Sequence, residues 1–230
     1  MQELKSSFIS NFIEDNRWRY ITDGLKITLL VTVFAVLIGV VLGFLIAIVR
    51  TTHDKTGKLK ILNAICKVYL TVIRGTPVVV QLMIIYFIIF GSVDISKVVV
   101  AIVAFGINSG AYVSEIIRAG ILSIDKGQTE AGRSLGLNAY QTMTRIVIPQ
   151  ALKNIFPALC NEFIVLIKET AIVGYVGLMD IQKAGDFIKS ATYEAFMPLI
   201  GTAIIYYVLI KVLTLILGIF ENKLRKSDIR

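Results

Sequence analysis

A chain of 230 residues with 56% hydrophobic side chains and a mean hydropathy of +0.76 is far more apolar than a soluble domain of this length, and reads as an integral membrane protein. Its formal charge of +8 would suit nucleic acid, but the basic residues gather at the ends of apolar runs, which is the orientation signal of a membrane protein, so nucleic acid is set aside. Cys66 and Cys160 lie in or beside apolar segments as small hydrophobes, and His53 sits alone in a polar turn, so neither a disulfide framework nor a metal site is expected.

Residues 1–22 mix Phe8, Phe12, Ile13, Trp18 and Tyr20 with charged side chains, which suits an amphipathic piece at the bilayer surface with its aromatics at headgroup level. The polar, acidic start is unlike a cleaved signal peptide, and the segment is expected to stay on the mature protein. A first span is expected over 24–49, with Gly39 and Gly43 at a spacing that permits close helix packing, before a polar turn beginning at Arg50. The apolar stretch 61–90 is longer than one crossing needs and is expected to break at Arg74-Gly75-Thr76-Pro77, because Pro77 removes a backbone donor and disfavours helix at Thr76.

A third span over 97–121 carries Asn108, Ser109, Tyr112, Glu115 and Arg118, with Gly106 and Gly110 bracketing the first two. Polar side chains in a span face protein or a water-filled cavity, and Glu115 and Arg118, three residues apart, read as a structural ion pair. The segment 125–149 is polar and broken by glycine, and must lie outside the membrane. Thr129 is placed to cap a short helix beginning at Glu130, Gly136 turns the chain, and Asn138 starts a second helix, together making a compact knob that docks in a groove on a partner or is an ordinary surface turn. A fourth span over 152–172 contains Asn161 and Glu162, an amphipathic connection follows, and a fifth span over 195–220 holds Lys211. The architecture is a single all-α domain of five transmembrane helices with one loop between spans three and four.

Glu130-Ala131-Gly132, three residues, Gly136, nine residues, Ile146, one residue and Ile148-Pro149 resembles the cytoplasmic loop of permease subunits of ABC importers, where the pattern ends in Leu-Pro and begins Glu-Ala-Ala. Gly132 and Ile148 depart from the commonest letters while keeping small or apolar character. Arg74-Gly75-Thr76-Pro77 followed by Gln81-Leu82, and the run Tyr112 to Ile121, are similar to polar amino acid permeases of that family. The resemblance implies a non-enzymatic transmembrane subunit in the cell membrane, translocating polar or cationic amino acids. It implies an ATP-binding partner docked on Glu130, Ala131, Gly132, Ser134, Leu135 and Gly136, a second permease subunit, most simply a second copy, and an extracytoplasmic solute-binding protein.

No Gly-x-x-x-x-Gly-Lys-Ser/Thr loop occurs, so ATP hydrolysis by that route belongs to another chain, and no cofactor is expected. An ion-gradient-driven secondary transporter is the alternative, but it would call for an inverted repeat and more spans. A membrane-embedded enzyme would need a convergent catalytic set, which one histidine does not supply. Twelve Lys and Arg fall on the side of the 125–149 loop and the C-terminus, against about six on the other, which puts the C-terminus in the cytoplasm and the N-terminus outside. A rise of about 1.5 Å per residue brings Asn108 and Glu162 to one depth near the bilayer midplane. Asn108, Ser109, Tyr112, Asn161 and Glu162 are therefore candidate substrate contacts, with a permanent Glu162–Lys211 ion pair as the competing reading.

Overall fold

A computed structural model describes residues 2–225, with side chains to Lys223, and every regular element in it is helical. Lys226 and Arg230, part of the basic C-terminal group, and Asp228 lie outside the described residues. Helix α1 (Gln2–Phe8) runs into a π-helical turn, and the chain kinks at Asp15 and Asn16, both at positive φ, a conformation these short polar residues tolerate. Part of this N-terminal piece is held by protein rather than lipid. Glu194 accepts hydrogen bonds from Ser7 and Asn11, which hold its carboxyl below the ordinary value, and Phe12 is buried against Gly201.

Helix α2 (Trp18–Thr56) then runs for 39 residues, about 58 Å at 1.5 Å per residue, nearly twice a hydrocarbon core of about 30 Å. It continues through the polar residues from Arg50 and stops only at Gly57, whose φ of +67° caps it. Helices α3 (Lys60–Gly75) and α4 (Val78–Ile84, extended by a π turn to Ile89) meet at Thr76-Pro77 with a bend of 111°. Helix α5 (Lys97–Leu122) is the most buried of the long helices.

After α5 come α6 (Lys126–Ser134), the single turn α7 (Ala139–Thr142), and α8 (Ile148–Glu169), which a π turn over Met143–Val147 joins to α7 without a loop. A 3-10 stretch (Thr170–Val176) leads to α9 (Ile181–Thr192), and α10 (Phe196–Arg225) closes the described chain.

The core is built on α2 and α5, and glycine decides how close they come. A Cβ on Gly39 would lie 2.7 Å from Ser109 Oγ, and one on Gly43 would lie 2.6 Å from Val113 Cγ1. From the other side, Gly106 meets Ile38 and Gly110 meets Leu42. Residue numbers rise together along both helices, so α2 and α5 are parallel, and the chain between them must return to its starting side. The α5–α8 contacts run the other way, with Gly120 against Ile155 and Ser109 against Glu162. Gly24 of α2 abuts the backbone of Asp180, whose carboxylate accepts from Tyr206 of α10, so the start of α2, α9 and the upper part of α10 meet at one end.

Among the described residues, three helices are long and apolar enough to cross a membrane alone, Trp18–Thr56, Lys97–Leu122 and Phe196–Lys223, and the bent α3–α4 pair qualifies as a fourth crossing when taken together. Helix α8 is not among them, since Lys153, Asn161, Glu162, Lys168 and Glu169 interrupt its apolar residues.

This packing yields a stability prediction. Gly43→Ala forces the Val113 side chain to move and should cost about 1–3 kcal/mol, the usual range for overpacking. Gly218→Ala, with nothing within 4 Å, should cost nothing. Thermal unfolding in detergent compares the two; equal midpoints would show that the close approach of α2 and α5 does not limit stability.

Candidate substrate site and coupling loop

The polar site grows out of the break between α3 and α4. Pro77 has no N–H, so the carbonyl of Ile73 loses its partner four residues on. Gln81 supplies the missing donor: its Nε2 donates to Ile73 O at 2.7 Å, to Thr76 O at 3.0 Å and to Thr76 Oγ1 at 2.8 Å. Its Oε1 accepts from Asn108 Nδ2 at 2.8 Å, which ties the break to α5. The Oδ1 of Asn108 is buried and has no hydrogen-bond partner, so an acceptor stands open in the core.

On the next residue of α5, Ser109 Oγ donates to Glu162 Oε1 at 3.0 Å. Ser109 is fully buried and Glu162 is 9% exposed. Gly39 makes this contact possible, because any side chain there would occupy the space of Ser109 Oγ. Asn108, Ser109 and Glu162 thus fall at one level, at the crossing of α5 and α8. Tyr112 lies one turn further along α5, 37% exposed, with the Arg74 guanidinium over its ring at 5.9 Å. Asn161 points to the exposed side of α8 and is not joined to the cluster.

The alternative pairing of Glu162 with Lys211 is not what the structure has. Lys211 is exposed on α10, and no ion pair joins the two among the described residues. Equal depth places two residues on one plane without placing them on facing sides of their helices.

Glu115, by contrast, is paired. It takes a salt bridge from Arg50 of α2, and Arg118 stands 3.5 Å away on its own helix and 3.9 Å from Asp54. Sequence reasoning reached the Glu115–Arg118 pair but missed Arg50, because α2 was not read as helical at Arg50. It also missed the role of Gln81, for which the signal was an amide four residues after a mid-span proline.

The 125–149 segment folds as two short helices crossing at Gly132, where a Cβ would lie 2.8 Å from Ile146 Cδ1 and 2.9 Å from Thr142 Cγ2. The first helix begins at Lys126, not at Glu130 as the sequence suggested. Its cap is Asp125, whose Oδ1 accepts from Gly127 N at 2.6 Å, while Thr129 lies inside the helix. Gly136, at φ +86°, closes α6 with bonds from its own N to Arg133 O and from Leu137 N to Gly132 O. Asn138 caps α7 in a capping box with Gln141. Glu130, Ala131, Ser134 and Leu135 face outward, and Leu135 and Tyr140 are 83% and 76% exposed, an apolar tip on a polar knob.

A helical membrane chain with a broken span, a buried amide–carboxylate cluster and a glycine-turned helical knob has the make-up of an importer permease subunit. The chain matches the binding-protein-dependent transport system inner membrane component family over residues 39–226, and belongs to it. It is 43% identical over 211 residues to the arginine transport system permease protein ArtQ of Bacillus subtilis (strain 168), covering 91% of this chain and 94% of that one. It is 35% identical over 206 residues to the glutamine transport system permease protein GlnP of Escherichia coli (strain K12), covering 88% and 92%. Among solved structures, an amino acid ABC transporter with histidines matches with a TM-score of 0.82 at 43% identity, over 89% of this chain and 94% of that one. The chain is the membrane permease subunit of an ABC amino acid importer, in a family that works with a separate ATPase subunit and a substrate-binding protein.

The break generates its own test. Gln81→Leu strands Ile73 O and Asn108 together and should cost about 1–3 kcal/mol, the range for unsatisfied buried polar groups. Asn161→Leu on the exposed face should stay within about 0.5 kcal/mol. Unfolding in mixed micelles measures both, and a Gln81 variant as stable as the parent would remove the amide from its structural role.

Proposed function

We propose that this subunit translocates polar, and first of all cationic, amino acids along a path that passes Glu162, and that the cluster of Asn108, Ser109 and Glu162 touches the substrate, with Tyr112 at its edge. The single observation that carries the reading is the state of Glu162: a buried carboxylate in a membrane protein, met by one neutral hydroxyl and by no cation among the described residues. Such a group is costly and marks a substrate or ion path. A cationic ligand would give it the charge-assisted hydrogen bonds that the protein withholds. The relatives are named as arginine and glutamine transport permeases, and both of those amino acids are polar.

The chain crosses the membrane five times, with the N-terminus outside and the C-terminus and knob in the cytoplasm. Parallel α2 and α5 support one crossing by the bent pair between them, and α8, antiparallel to α5, supplies another despite its polarity. The knob, through Glu130, Ala131, Gly132, Ser134, Leu135 and Gly136, is the seat of the ATPase, and its exposed Leu135 and Tyr140 are the apolar anchors such a contact needs. Two copies of this chain form the permease, fed from outside by the solute-binding protein.

Two experiments test this reading. Glu162→Gln, nearly identical in shape, should assemble with the ATPase and keep basal ATP hydrolysis while losing arginine uptake into proteoliposomes; undiminished uptake would remove Glu162 from the path. For orientation, cysteine placed at Asp94 should react only with reagent added outside, and cysteine at Asp228 only from the cytoplasmic side. The reverse pattern would overturn both the orientation and the docking role of the knob.

A further inference from the structure

The Glu162 cluster leaves a second polar space unused. Between α2, α3 and α5 lies a cavity of about 600 Å³ whose charged walls are Arg50, Lys67, Arg74, Arg118 and Glu115. Four cations thus surround one carboxylate, and that carboxylate is committed to Arg50 and Arg118. Lys67 and Arg74 have no carboxylate partner among the described residues. Arg50 Nε, in addition, is buried without a hydrogen-bond acceptor. Uncompensated cations lining a recess with apolar helices around it focus a positive potential and draw in an anion.

We propose that this cavity is an oxyanion site, with Lys67 and Arg74 as its ligands, and that it receives the carboxylate of the amino acid whose cationic end is held at Glu162. The proposal rests on the reading of Glu162 given above, and the spacing on α5 is what joins the two. Arg74 lies over the ring of Tyr112, three residues beyond Ser109, the partner of Glu162, so the two charges rest against neighbouring turns of α5. An extended lysine or arginine places its cationic head roughly 6–7 Å from its carboxylate, from bond lengths near 1.5 Å. A zwitterion with a cationic tail offers one charge to each of these neighbouring turns, whereas a simple cation would meet the basic wall with nothing to offer it. The same oxyanion chemistry is carried by a phospholipid phosphate, whose tails could lie on the exposed apolar face of α3 formed by Ile61, Ile65, Val68 and Val72.

The test uses the permease assembled with its ATPase in nanodiscs, with lysine and its decarboxylated counterpart cadaverine as probes, or glutamine and 4-aminobutanamide if the system takes glutamine. The parent should bind the amino acid at least about tenfold more tightly than the amine, as expected for a charge-assisted contact. Arg74→Gln and Lys67→Gln should erase that ratio, and Arg74→Lys should restore part of it. Lys67 and Arg74 are both exposed, so neither variant should prevent folding. Native mass spectrometry of the same samples counts bound phospholipid. An unchanged ratio with one lipid fewer would keep the oxyanion site and assign it to a lipid phosphate. An unchanged ratio with an unchanged lipid count overturns the proposal. Glu162→Gln should weaken amino acid and amine alike and leave the ratio intact; if it changes neither ligand while the Arg74 variant still erases the ratio, the Glu162 reading fails and the oxyanion site stands.

Discussion

The close, parallel contact of α2 and α5 is the constraint from which the rest of the architecture follows. In lipid, apolar side chains gain little by meeting each other, so helices cohere through tight packing and a few hydrogen bonds. Here each helix contributes two glycines four residues apart, and each pair receives side chains of the other helix. Because the two helices point the same way, the chain between them has to recross. That return stretch is the one that breaks at Pro77. The break frees Ile73 O, Gln81 answers it, and the other end of the Gln81 amide fixes Asn108 on α5. Packing thus dictates a return, the return carries a break, and the repair of the break places the first polar residue of the site.

Two carboxylates on or against α5 stand in opposite surroundings. Glu115 is held between Arg50 and Arg118 and stitches α2 to α5 near the end where α2 outruns the apolar run. Glu162, less than two turns away along α5, is met among the described residues by Ser109 Oγ alone. A structural network would not leave it so, given the cost of an isolated buried charge. On the proposed reading this asymmetry serves a ligand: Glu115 is satisfied by Arg50 and Arg118, whereas Glu162 is left to its hydroxyl partner.

The axial features of this fold could be read from the sequence, and the azimuthal ones could not. Proline without an N–H marks a break wherever it falls, glycine at positive φ marks a turn, and Asn138 with Gln141 three residues on spells a cap, so the α3–α4 junction and the knob's turn were legible. Which way a side chain points around its helix depends on neighbours far away in sequence. Lys211 therefore stood as a partner for Glu162 on depth alone and proves to face outward. The start of α6 was misplaced for a local reason: Asp125 and Thr129 are both good caps, and the choice was settled by which one found a free N–H, that of Gly127. Arg50 to Thr56 looked like a turn from composition, yet nothing there forbids helix until Gly57, and packing on α5 keeps it wound.

The knob and the polar cluster are parts of one mechanical object. From Ala139 to Glu169 the chain is helical throughout, as α7, a π turn and α8, so no loop separates the exposed Tyr140 from Glu162. Gly132 is buried beneath Thr142 and Ile146, which locks α6 onto the start of that rod. On the proposed reading, a partner that pushes the knob displaces α8 as a body, and Glu162 moves against Ser109 of α5. Helix α5 is held by four glycine contacts to α2 and does not follow readily. The hydrogen bond between Ser109 and Glu162 spans the surface on which one rigid unit would slide past another, and a carboxylate that ion pairs leave free is able to exchange its hydroxyl partner for a passing cation as that surface shifts.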